Sequence, residues 1–301
     1  MPDAISMPPA IDFGLKIDFQ ANTPDPSRVF RAMTGLIEAC QAIDLDLAKS
    51  ISAQANPVLL LEDIRTGSLT AFLRSTLQSI DDEALRTLDW RQIVGAYLVK
   101  GKRVMVDFLR DRGTINSREE IYDLERVLSE AARETGALRL PSYSPLPAGR
   151  LAESVRILSD ATAPLALNDR AIYLSSDGES DINTSFRVTP EVIEEVLTEQ
   201  TLVSEREMIL KVKRPDFLGE AMWEFRFQGR KISAKVLHAE WLQSFHRGTV
   251  TLHPGDALYG VVRETVKYGF DREVIATHYE VVRVLQVIPR EEPAITRDGR
   301  S

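Results

Sequence analysis

One cysteine, Cys40, stands in a chain of 301 residues. A lone thiol excludes an intrachain disulfide framework and every zinc site built from paired cysteines. A chain without disulfides fits a reducing, intracellular compartment. Long hydrophobic runs are also missing. The longest strongly apolar stretch is IVGAYLV at 93–99, against the roughly 20 residues that a membrane helix needs. The opening MPDAISMPPA has neither the basic nor the apolar segment of a secretory signal. The expectation is a soluble, cytoplasmic protein with no membrane partner. No Walker A loop, GxGxxG or GxSxG occurs, so motif-borne phosphate cradles and nucleophile elbows are excluded and no cofactor is called for. There is no internal repeat or low-complexity tract.

What is present is globular composition, 44% hydrophobic and 27% charged. The formal charge of −8 repels a phosphate backbone or an anionic membrane unless a local basic face overcomes it.

Residues 11–20, IDFGLKIDFQ, alternate apolar and polar and predict a half-buried strand. A helix follows, with Asp25 as N-cap and Pro26 at its first position; Val29, Met33, Leu36, Cys40, Ile43 and Leu47 form its buried stripe. Two apolar runs then meet at Arg65–Ser68, a hairpin turn containing Gly67. A helical zone is expected over about 79–136, opened near Asp89. Its second helix starts at the capping box Ser117–Glu120, buries Ile121, Leu124, Val127, Leu128 and Ala131, and ends at Gly136. The pattern predicts an α+β fold: an N-terminal β-α-β-β sheet with helices over 1–140. A proline-rich stretch at 139–149 marks the expected boundary, and 141–206 is read as a connector with mixed elements. Over 207–290 a mostly-β domain of about six strands and one short helix predicts a small barrel or curled sheet. Residues 291–301 read as a flexible tail.

Three of the four histidines fall in HAEWLQSFHRGTVTLHPGD at 238–256, and His278 follows. Metal binding needs donors converging on one point. His238 and His246, eight residues apart on one helix, are separated by roughly 12 Å and cannot share an ion. His246, Arg247 and Gly248 fit a helix C-terminus. His253-Pro254-Gly255-Asp256 fits a type II turn. The remaining possibility is tertiary convergence of His253, Asp256 and His278 as metal ligands, or of His238, Glu240, His253, Asp256 and His278 as a hydrolytic site. His238-Ala239-Glu240 matches the HxE of zinc deaminases, but their paired cysteines are absent.

Other signals weaken on inspection. Asp177, Glu179, Asp181 and Asn183 alternate as in a calcium loop, yet Ile182 and Val188 occupy the positions that require glycine and glutamate. Lys213–Asp216 followed by Glu224 has a nuclease-like order, but Arg226 replaces the proton-transferring lysine. Cys40 on a buried helical face is no nucleophile. Gly67-Ser68 serves a turn as well as a phosphate loop would. Residues 205–290 hold 14 Lys+Arg against 11 Asp+Glu, the rest 23 against 34, a modest basic bias in the C-terminal domain. Trp223, Phe225 and Phe227 share one strand face opposite Arg226, which favours core packing over a stacking platform.

The reading that follows is a non-catalytic binding or assembly protein working through another protein or self-association. The alternatives are a metal-dependent hydrolase in the C-terminal domain and a nucleic-acid or nucleotide binder using its basic side.

Overall fold

Alternation at the start of the chain builds β1 (Phe13–Asp18), with Phe13, Leu15 and Ile17 all buried. Phe19, expected on the same face, lies beyond the strand and is exposed. The structure is a computed structural model that describes residues 12–20, 24–65, 68–77, 91–140, 142–217, 221–253 and 255–290. The expected strand residue Ile11, the turn residues Thr66 and Gly67, the opening of the helical zone at 79–90 and the tail at 291–301 lie outside them. The chain divides into two units, residues 1–197 and 198–301.

In the first unit α1 (Ser27–Ile51) buries the expected stripe, Cys40 included, and extends past it to Ile51. Pro26, one residue later than expected, is its N-cap, and Asp25 takes a left-handed backbone, φ 59°. The hairpin β2 (Pro57–Arg65) and β3 (Leu69–Leu77) follows, pairing antiparallel through Arg65↔Thr70. A π-helical turn, Arg91–Gly95, leads into α2 (Ala96–Leu109). Helix α3 (Arg118–Glu134) has Ser117 as N-cap, but the reciprocal capping box does not form. The Glu120 carboxylate instead accepts from the Asn116 N–H, 3.3 Å. Gly136, φ 82°, ends the helix as expected, because a residue without Cβ takes the left-handed region at no steric cost.

The segment expected as a connector, 141–206, divides between the units, 198–206 belonging to the second and 141–197 to the body of the first. Residues 141–197 supply α4 (Ala148–Thr162), β4 (Arg170–Ser175), β5 (Gly178–Ile182) and α5 (Pro190–Leu197) to the first unit. β4 pairs with β1 on the side opposite β3, giving the all-antiparallel order β2-β3-β1-β4-β5. A β-α-β-β reading could not anticipate this, since β1 receives its second neighbour more than 150 residues downstream. α1 packs on β1 and β3 and on α4, while α2 packs on β4 and β5.

The second unit begins with β6 (Gln200–Arg214), seven residues before the expected start at 207. β7 (Trp223–Phe227) and β8 (Arg230–Val236) follow, joined at Gln228-Gly229 with φ 47° and 81°, the positive pair of a type I′ turn. Then come α6 (Ala239–His246), β9 (Ala257–Tyr268) and β10 (Val274–Ile288). Five strands, not six, close a barrel in the order β10-β8-β7-β6-β9, with β10 parallel to β8 and the other pairs antiparallel. Met208, Leu210, Val212, Trp223, Phe225, Leu258 and Val262 fill it, and Phe245 of α6 joins that core. Among the described residues no helix is long and apolar enough to cross a membrane.

Candidate functional site

The histidines occupy the local positions their neighbours dictate. His238 is the N-cap of α6, and its carbonyl accepts from Leu242 N–H at 2.9 Å. Its Nδ1 accepts from the Val284 N–H of β10, 3.2 Å. His246 closes α6, with Nε2 3.4 Å from the Asp216 carbonyl, and Gly248 follows at φ 74°. Of the expected turn, Pro254 lies outside the described residues; Gly255 has φ 100° and Asp256 N–H donates to the His253 carbonyl at 3.0 Å. The Asp256 carboxylate accepts from His253 N–H (2.7 Å) and Arg290 N–H (3.0 Å). Those bonds, His253 first, hold its carboxyl below the usual carboxylate range despite burial.

β10 shows why the set does not converge. His278 lies on it, His238 is bonded to Val284, and Asp256 to Arg290 just beyond its end. Six residues separate each pair of anchor points, about 20 Å of extended chain. The structure brings His253 to Asp256 (3.6 Å) and leaves His278, His238 and the exposed Glu240 elsewhere. Among the described residues no three His, Cys, Asp or Glu are placed to hold a metal.

The acidic loop is largely strand β5. Asp181 pairs with Arg170 on β4 (2.7 Å), and Asn183 donates to the carbonyls of Leu109 and Arg112. Cys40 is buried, and loss of hydration pushes its thiol up to about 12, far from a nucleophile. It lies in the interior that holds Asp44 and Lys102, a wholly buried ion pair. Asp44 also accepts from Ser75 Oγ at 2.9 Å, and Lys102 Nζ lies 4.4 Å from the Phe13 ring centroid. Burial pushes the Asp44 carboxyl up against the pull of Lys102. A second buried pair, Arg28–Asp169 at 2.8 and 3.1 Å, ties α1 to the turn before β4.

Two surfaces stand out instead. The edge strand β2 exposes Leu61 (55%), Ile64 (54%) and part of Leu60. The outer side of β6, β7 and β8 carries Lys211, Lys213, Arg214, Arg226 and Lys231 around Glu224, with Glu205 and Glu207 further along β6 bonded to Arg263 and Tyr259. Trp223 and Phe225 point inward as expected, so neither is a platform. Phe217, in the loop after β6, is an exposed aromatic that strand periodicity missed, since it lies outside any strand, as does the less exposed Phe270. Comparison with protein-family models, curated proteins and solved structures finds no match.

Proposed function

We propose that the chain is a non-catalytic, cytoplasmic assembly protein that self-associates by pairing β2 with β2 of a second copy. The observation that carries the reading is the strand itself. Among the described residues β2 pairs only with β3, and an edge strand presents alternate unpaired N–H and C=O groups to any chain that can match them. The edge carries Glu62, Asp63 and Arg65 and a bulge between Leu61 and Asp63, devices that blunt an edge, yet Leu60, Leu61 and Ile64 stand exposed among them.

A two-fold contact must be self-complementary. Full antiparallel overlap of Pro57–Arg65 with its copy centres on Leu61. That register sets Leu61 against Leu61 and Val58 against Ile64 twice. Glu62, Asp63 and Arg65 face Leu60, Leu59 and Pro57, so no like charges stand directly opposite one another. Cross-strand apolar pairs of this kind stabilise a sheet by a few tenths to about 1 kcal/mol each.

Light scattering on eluted protein tests it. The expected result is a concentration-dependent dimer that Leu61→Glu/Ile64→Glu converts to a folded monomer. A wild-type monomer at every concentration, or a dimer indifferent to that variant, overturns the reading. The metal-dependent hydrolase gains no support from donors spread along β10, and stoichiometric metal in untagged purified protein would revive it.

A further inference from the structure

Like charges directly opposite one another weaken a sheet, yet three stand in a row across the barrel. Lys211 of β6 faces Arg226 of β7, which faces Lys231 of β8. Their neighbours Leu210, Val212 and Phe225 are buried, so the three point outward, and all are exposed. The adjoining row holds Glu224, approached by Lys231 at 2.8 Å, Arg214 at 2.9 Å and Lys213 at 3.7 Å. Lys231 beside it holds the Glu224 carboxyl below its usual range. Among the described residues no carboxylate pairs with Lys211 or Arg226. Lys213, Arg214 and Lys231 therefore share Glu224, while Lys211 and Arg226 stand beside them without a carboxylate of their own among the described residues.

At the end of this face the chain leaves β6 and reaches Phe217, three residues beyond Arg214, a span of at most about 10 Å. Phe217 is 60% exposed while one side of its ring stacks on Phe245, 5.2 Å between centroids. Phe245 packs in turn on Trp223 and Trp241 of the barrel core. The ring is thus held by a rigid stack with surface left open.

We propose that this face binds single-stranded nucleic acid, with Lys211, Arg226 and their neighbours taking backbone phosphates and Phe217 stacking a base. Cations alone would accept any polyanion. The aromatic ring selects a strand whose bases are free to stack, which a duplex hides. The chain's overall −8 does not oppose this at close range, because salt screens charge beyond about 8–10 Å. The inference is independent of the β2 contact.

Fluorescence anisotropy of the full chain with a labelled oligothymidine, the same-length duplex and heparin tests it across a salt series. Expected is preference for the single strand, with affinity falling as salt rises. Lys211→Glu/Arg226→Glu should lower the slope of log affinity against log salt by about 1.4. Phe217→Ala should weaken the oligothymidine at least about fivefold and leave heparin unchanged. Arg126→Glu/Lys100→Glu, an equal charge change on the first unit, should retain binding, and circular dichroism of each variant confirms folding. No binding at low salt, equal loss in the control pair, or equal affinity for all three ligands with no effect of Phe217→Ala would each overturn the proposal.

Discussion

The first unit buries charge, whereas the barrel displays it. Asp44–Lys102 and Arg28–Asp169 join residues 58 and 141 positions apart inside the α+β unit. Among the described residues the barrel's one buried carboxylate, Asp256, is held by backbone N–H groups instead, and the barrel's Arg263–Glu205–Glu280 network is open to solvent. A buried pair costs desolvation and is retained where it fixes an arrangement, and breaking it is expensive. Exposed charge costs the fold little. The difference teaches where to look for function: the first unit's two buried pairs are explained by packing, its exposed cations such as Arg126 and Arg170 have carboxylate partners, and Lys211 and Arg226 of the barrel's cation row have none among the described residues.

The sharpest way to break this comparison is Asp44→Leu, which leaves Lys102 buried without a partner. A loss of about 3–5 kcal/mol is expected in denaturant unfolding, with most of it recovered in Asp44→Leu/Lys102→Met. A single variant as mild as a surface change would end the distinction. Next comes Gly260→Ala on β9, whose new Cβ would sit 2.4 Å from the Arg283 carbonyl oxygen of β10. Backbone cannot move aside cheaply, so about 1–3 kcal/mol is expected. Gly101→Ala on α2 meets only the end of the Leu47 side chain at 2.6 Å and gains helix propensity, so calorimetry should show the smaller loss.

Acid sensitivity sharpens the contrast further. The Asp256 carboxyl is depressed by His253 and Arg290 N–H groups. Its stabilisation is therefore complete above the unfolded value of about 3.9 and disappears as pH falls through the folded one. Asp256→Asn should flatten that acid limb of a stability–pH curve, and an unchanged limb would assign it to other carboxylates. The smallest effect belongs to Lys211→Glu/Arg226→Glu, whose unfolding free energy should stay within about 0.5 kcal/mol of wild type. A large destabilisation would make the cation row part of the fold.

Much of the local structure was legible. The period of 2 in FGLKID, the stripe of α1, the glycine stop at Gly136 and the left-handed Gly255 with its Asp256–His253 bond depend on neighbours a few residues away, and all are present. The capping box failed because Glu120 found Asn116 rather than the Ser117 N–H. The boundary near residue 140 was misplaced for a different reason. A proline-rich stretch signals a break in regular structure, and it cannot show that the following β4 returns to the flank of β1. Of the candidate site, the histidines' helix and turn roles followed from spacing, while their separation along β10 did not. The cation row was visible only as a faint excess of basic residues, because Lys211, Arg226 and Lys231 are spread over 21 positions.

The sequence alone determined the α+β class, the absence of an intrachain disulfide, the inward direction of Trp223 and Phe225 and the turn at Gln228-Gly229. These are properties of period, residue shape and backbone sterics acting within one element. Tertiary structure decided the order of strands in both sheets, the exposed edge at β2 and the alignment of three cations across β6, β7 and β8. Register between strands is set by the fit of whole buried faces, so which surface residues become neighbours is settled only when the core closes.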